Sequence, residues 1–238
     1  EAASGAEDSA IALDITSSLS DTDGSETLSL TVTGIPDGAI LSAGTLNDDG
    51  SVTLTPGQLD GLTITPPADS SADFNLTITA TTSEDGTSAT TSSTLEVTVS
   101  GVADTPSVTV NAASGAEDSA IALDITSSLS DTDGSETLSL TVTDIPEGAI
   151  LSAGTLNDDG SVTLTPEQLD GLTITPPADS SADFNLTVTA TSSEDGTQAT
   201  TSSTLEVSVS GVADALTLTV EAASGAEDSA IALDITSS

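Results

Sequence analysis

Apolar residues in this chain recur in short alternating runs. Val108 and Val110 flank Thr109, and Ile121, Leu123 and Ile125 flank Ala122 and Asp124. Leu138, Leu140 and Val142 alternate with Ser and Thr, as do Val162 and Leu164, then Leu172 and Ile174. Phe184, Leu186, Val188 and Ala190 form a longer run, and Leu205, Val207 and Val209 close the series. A period of two with hydroxyl side chains opposite predicts half-buried β-strands. The intervening segments SGAED, SDTDGSE, LNDDGS, TPPADSSAD and SEDGT carry the Gly, Pro, Asp and Asn of turns. NDDG (157–160) predicts a tight hairpin. TPEQLDG (165–171) is the exception, with Thr165, Pro166 and Gln168 placed for a single capped helical turn. The fold class expected is all-β: tandem seven-stranded immunoglobulin-like, or cadherin-like, β-sandwiches arranged end to end.

The tandem arrangement follows from a repeat of 110 residues. EAASGAEDSAIALDITSS opens the chain, its near-copy begins at residue 111, and the same string begins again at 221. Between 1–104 and 111–214 the differences fall at positions 1, 34, 37, 57, 78, 82, 88 and 98 of the first copy. Gly57 replaces Glu167 and weakens the helical turn there. The period matches one autonomous domain. We expect one repeat over 1–103 that lacks its first strand, a complete repeat over 104–213, and the first strands of a third over 214–238. That last segment is too short to bury a core alone, so the chain is expected to continue at both ends.

Composition then narrows the chemistry. The net charge is −39, with no Lys, Arg, His or Cys. Phosphate contacts need Lys or Arg, so nucleic acid is excluded as a partner. No apolar run approaches a membrane span, so no membrane insertion is expected. Only carboxylates are available for general acid–base or nucleophilic work. With two Phe as the sole aromatics there is no stacking platform for a sugar. No enzymatic activity and no small-molecule substrate are expected. Asn75-Leu-Thr and Asn185-Leu-Thr match the N-glycosylation acceptor pattern. The alternating Thr and Ser are ordinary β-surface residues.

With no cationic side chain, the carboxylates need another counter-charge. Counting strand directions places the loop SDTDGSE at the N-terminal end of its sandwich, and SGAED and PPADSSAD at the C-terminal end. The junction between the first two repeats then gathers Glu7, Asp8, Asp69 and Asp73 with linker Asp104 and with Asp131, Asp133 and Glu136. The next junction holds Glu117, Asp118, Asp179, Asp183 and Asp214, and Asp21, Asp23 and Glu26 face the side preceding the first repeat. Uncompensated, such clusters repel and raise their own pKa values. Ca²⁺ accepts six to eight oxygen ligands in irregular geometry, whereas zinc and copper favour His or Cys. Calcium is therefore the expected ion, bound at about 10⁻⁴ to 10⁻³ M or somewhat tighter.

The strings GAEDSAIALDI, LSDTDGSETLSLTVTGIP, GAILSAGTLNDDGSVTLTP, LDGLTITPPADSSADFNLTITAT and TLEVTVSGVADTP resemble the extender repeats of giant bacterial repeat-in-toxin adhesins. The resemblance spans essentially the whole chain. It implies cadherin-like or immunoglobulin-like sandwiches, type I secretion, a bacterial cell-surface location, and calcium at the junctions of a long adhesive filament. It also implies junction ligands at Glu7, Asp8, Asp104, Asp131, Asp133 and Glu136. The glycine-rich nonapeptide of that group is absent from this sequence; in the family it lies outside the extender. Asp104-Thr-Pro becomes Asp214-Ala-Leu at the second linker, and loss of the proline loosens that linker slightly.

Two functions stand open at this stage. One is a calcium-stiffened extender whose partners are neighbouring repeats of the same chain. The other is a unit of a self-assembling extracellular filament or matrix, as in a biofilm, whose copies are joined by strand donation.

Overall fold

The structure is a computed structural model of the chain that describes residues 2–21 and 23–237. Glu1, Thr22 of the first SDTDGSE loop and Ser238 lie outside the described residues. The fold is all-β, with sheets stacked as sandwiches.

In the second repeat the larger sheet has six strands. Their order is Ala113–Ala116, Thr197–Ser210, Phe184–Glu194, Thr137–Thr143, Val162–Leu164 and Thr155–Leu156. The facing layer is built from Ile121–Ala122, Thr173–Thr175 and Ile150–Leu151, and from Ser107–Asn111 paired with Asp124–Ser128. The alternating apolar residues point between the layers. Leu140, Val142, Leu186, Val188, Leu205 and Ile174 are fully buried there. Burying each such side chain contributes about 1.5–3 kcal/mol. The first repeat builds an equivalent core around Leu30, Val32, Leu54, Ile64, Leu76 and Val97.

Three details depart from the strand reading. Residues 114–116 of SGAED form a strand rather than a loop: Ala113–Ala116 runs parallel to Thr197–Ser210, with Ala113 opposite Val207 and Gly115 opposite Val209. Small residues hide this strand, since they carry no alternating apolar signal. They are there because a Cβ on Gly115 would lie 2.6 Å from Ile121 Cγ1. The second departure is that the run at 121–125 serves both parts of its layer. Ile121 and Ala122 pair with Thr173–Thr175, and Asp124–Ser128 pairs with Ser107–Asn111. The third is that the two-residue strands Ile150–Leu151 and Thr155–Leu156 are too short to show a period.

The helical turn at Pro166–Leu169 forms, with the Gln168 side chain accepting from the Thr165 N–H at 2.9 Å. With Gly57 in place of Glu167 it shortens to Pro56–Gln58. NDDG closes the hairpin of Thr155–Leu156 with Val162–Leu164, and the Asn157 N–H donates to Ser161 O at 2.8 Å. Asp195 and Gly196, both at positive φ, make the two-residue turn between the longest strands. In the third segment Leu218–Val220 pairs with Ile235–Ser237, and its large apolar side chains are exposed.

Candidate metal centre at the repeat junction

Strand direction brings three loops to the junction. The parallel strand Ala2–Ala6 ends beside Ser100, and the Glu7 N–H donates to Ser100 O at 3.0 Å. This fixes Glu7 and Asp8 next to the linker. The turn at 194–197 and the loop at 130–136 of the second repeat approach from the other side.

The linker is held by side chains on successive N–H groups. Gly101 donates to Asp195 Oδ2 at 3.0 Å, and Val102 donates to Glu7 Oε1 at 2.7 Å. Ala103 donates to Thr197 Oγ1 at 2.6 Å, and Asp104 donates to Glu136 Oε1. Val102 is thus held by the first repeat, and the other three by the second. Ser130 Oγ also donates to Thr105 O at 2.6 Å. These bonds satisfy some of the acidic oxygens and leave others bare.

Two groups of carboxylates converge here. Glu7, Asp131 and Glu194, all buried, offer oxygens within 4.8 Å of one another, as do Asp8, Asp69 and Asp104 nearer the surface. Glu7 is 2% exposed, Asp131 1% and Glu194 5%. Glu7 Oε2, Glu136 Oε2 and both Glu194 carboxylate oxygens are buried without a hydrogen-bond partner. Unpaired buried charge is costly, so this arrangement calls for a cation or for protons.

The acid–base balance points the same way. Burial pushes the Glu7 carboxyl up to about 7; the Val102 N–H opposes this, and the neighbouring Glu194 and Asp8 add to it. Asp69 and Asp104 are raised too, first by burial and then by the surrounding carboxylates. Asp133 moves down, because the Ser135 hydroxyl and N–H bond its carboxylate. Asp8 and Asp69 also hold positive φ, at 54° and 53°, and the Asp69 N–H donates to Asp8 Oδ1 at 3.1 Å. Residues in such backbone conformations cluster at ligand-holding sites.

The other expected residues fall as follows. Asp73 accepts from the Val99 N–H at 2.8 Å, and Asp183 accepts from the Val209 N–H at 2.7 Å. Each straps a loop to the last strand of its own repeat. Asp133 is exposed and shapes its loop. Glu117 accepts from the Val212 N–H at 2.6 Å, and Asp118, Asp179 and Asp214 form an exposed group that matches Asp8, Asp69 and Asp104. Asp21 and Asp23 are exposed and Glu26 is half-buried.

Sequence reasoning passed over Glu194 and Asp195, reading SEDGT only as a turn. The same count of strand directions places that turn at the junction, so the signal was present. Gly101 is a second residue of this kind. A Cβ there would lie 2.1 Å from Glu194 Oε1, whereas at Gly211 the nearest atom, Glu117 Oε1, is 3.5 Å away.

Together these features define a tandem β-sandwich repeat protein with an acidic centre between consecutive repeats. No family model matches the chain, and no curated protein matches it. Among solved structures it is similar to Drosophila N-cadherin EC1-4 at 16% identity and a TM-score of 0.41, over 88% of this chain and 47% of that one. The chain thus spans about half the length of that protein. Human protocadherin-24 EC1-2 is similar at 16% identity and a TM-score of 0.36, over 80% of this chain and 85% of that one. An endo-fucoidan hydrolase of glycoside hydrolase family 107 is similar at 17% identity and a TM-score of 0.29, over 87% and 34%. The fold assignment rests on the strand pairing above. Among the described residues no helix is long and apolar enough to cross a membrane.

Proposed function

We propose that the chain is an extracellular, non-enzymatic extender segment of a bacterial cell-surface adhesin, rigidified by calcium between its repeats. In this reading the repeats divide at 103/104 and 213/214. The observation that carries it is the pooling of buried, unpartnered carboxylate oxygens from two repeats, Glu7 on one side and Glu136 and Glu194 on the other.

Glu7, Asp131 and Glu194 would hold one ion, with Glu136 beside them, and Asp8, Asp69 and Asp104 would hold another. A bound calcium supplies positive charge to an all-oxygen donor set. The chain's own residues position that set. Asp195, Thr197 and Glu136 fasten the linker to the second repeat, and Glu7 fastens it to the first. An ion shared across this interface removes hinge freedom. The resemblance to repeat-in-toxin extenders supports the adhesin assignment and the cell-surface location.

Small-angle scattering of the chain in calcium and in chelator tests the reading. Calcium is expected to lengthen the maximum dimension and narrow the spread of conformations. Identical profiles in the two buffers would contradict it.

A further inference from the structure

The buried polar groups at the junction are Glu7, Asp131, Glu136, Ser192 and Glu194, and among these described residues only Ser192 is neutral. It sits on the strand Phe184–Glu194, whose inward-facing positions run Leu186, Val188, Ala190, Ser192 and Glu194, all buried. Leu186 and Val188 belong to the core, and Glu194 lies in the junction group with Glu7 and Asp131. Ser192 stands between them at 0% exposure. Its neighbours across the sheet are Leu138 and Ala199, and neither has a polar side chain. A hydroxyl buried this deeply is costly unless it is hydrogen-bonded.

Its partner is Glu136. Ser192 Oγ donates to Glu136 Oε1 at 2.7 Å, and the same oxygen accepts the Asp104 N–H of the linker. Glu136 Oε2 is buried without a partner. Two donors thus meet on Oε1 and none on Oε2. Glu7 is divided in the same way, with Oε1 on the Val102 N–H and Oε2 bare. A carboxylate held at one oxygen keeps its plane and presents the other in a fixed direction. Outer hydrogen bonds of this kind orient metal ligands, and losing one lowers metal affinity about 10- to 100-fold. The chain has no Lys, Arg or His, so a neutral hydroxyl fills this role. It orients Glu136 without adding a charge that would compete with a cation.

We infer that Ser192 is a positioning residue of the junction: its hydroxyl fixes Glu136 by one oxygen against the linker and presents the other oxygen to a cation shared by the two repeats. Ser192 acts through Glu136 and is not itself a ligand. The straps on Gly101 and Ala103 use Asp195 and Thr197 instead, so they do not depend on it. The part that concerns the ion rests on the proposed function, whereas the part that concerns the linker does not.

Two measurements on the full chain separate these parts. In chelator, amide hydrogen exchange followed by NMR reads each strap by itself. Ser192→Ala is expected to speed exchange of the Asp104 N–H about fivefold or more and to leave the Gly101 and Ala103 N–H groups within about twofold of the wild type. Equal acceleration of all three would mean a merely structural hydroxyl and would overturn the inference, as would an Asp104 amide that exchanges as before. Calorimetric calcium titration then compares Ser192→Ala with Ser161→Ala, which removes a buried hydroxyl bonded to Asn157 and Asp159. Ser192→Ala is expected to weaken the tightest binding about tenfold or more, and Ser161→Ala to leave it unchanged. If the Asp104 amide responds but the wild type binds no calcium, the linker role stands and the calcium reading of the junction fails. If the wild type binds calcium and Ser192→Ala binds it equally well, the positioning role is overturned while the calcium reading survives.

Discussion

Residues 14–26 and 124–136 share one sequence, DITSSLSDTDGSE, and meet different surroundings. In both loops the backbone N–H bonds agree, while the serine hydroxyl turns from Asp23 in the first copy to Asp131 in the second. Asp23 N–H donates to Asp21 Oδ1 at 3.0 Å and Ser25 N–H to Asp23 at 2.8 Å. The matching distances in the second copy are both 2.7 Å. The motif thus shapes its own turn. Burial is set by the neighbour: Asp131 is 1% exposed and Glu136 7%, whereas Asp21 is exposed. The strand half behaves alike, since 124–128 is a strand under Ser107–Asn111 and 14–18 is not. Local sequence determines the loop, and a second repeat turns the loop into a candidate site.

The largest expected effect tests the strand half. Ile125→Ala opens a cavity under a sealed strand and should cost about 2–5 kcal/mol. Ile15→Ala, at a half-buried position, should cost markedly less. Denaturant titration of the two variants checks this, and equal losses would erase the distinction between the copies.

A smaller effect tests the linker. A methyl group on Gly101 meets the Glu194 carboxylate, and one on Gly211 meets only ordinary contacts. Gly101→Ala is expected to cost about 1–3 kcal/mol through overpacking, while Gly211→Ala stays within about 0.5 kcal/mol. Melting curves of both variants in calcium distinguish them.

The pH dependence follows from Glu7. Its folded value of about 7 lies above the ordinary 4.5, so the folded state holds the extra proton between those limits. The stabilisation is fully present below 4.5 and is lost as pH rises through 7. In chelator, the melting temperature should therefore fall across that window, and Glu7→Gln should flatten the fall. In calcium the cation takes the proton's place and the fall should vanish, because binding a metal releases protons. A calcium-independent pH profile would show that no ion engages Glu7.

Much of this was legible in the sequence. Period-two alternation predicts the strands that carry the core, and counting their directions brings the 7–8, 69 and 131–136 loops together around Asp104. The strand Ala113–Ala116 escaped because Ala and Gly carry no alternation where they must pack closely on Ile121. The strapping of Asp73 and Asp183 to the last strands was not legible, because sequence does not show which backbone N–H a carboxylate will meet. Glu194 was legible by topology, yet its burial depends on the close approach of Gly101 across the junction. The neutral Thr82 becomes Ser192 in the second repeat, where its hydroxyl donates to Glu136 at 2.7 Å; nothing in the pattern singled that change out.

The most direct test is calorimetric calcium titration of the full chain. Asp131→Asn with Glu194→Gln is compared with the counterpart pair, Asp21→Asn with Glu84→Gln. The account predicts that the first pair weakens the tightest calcium binding by at least about tenfold, or 1.4 kcal/mol, and that the second leaves it unchanged. Equal effects from the two pairs, or none from the first, would contradict a calcium site shared between repeats.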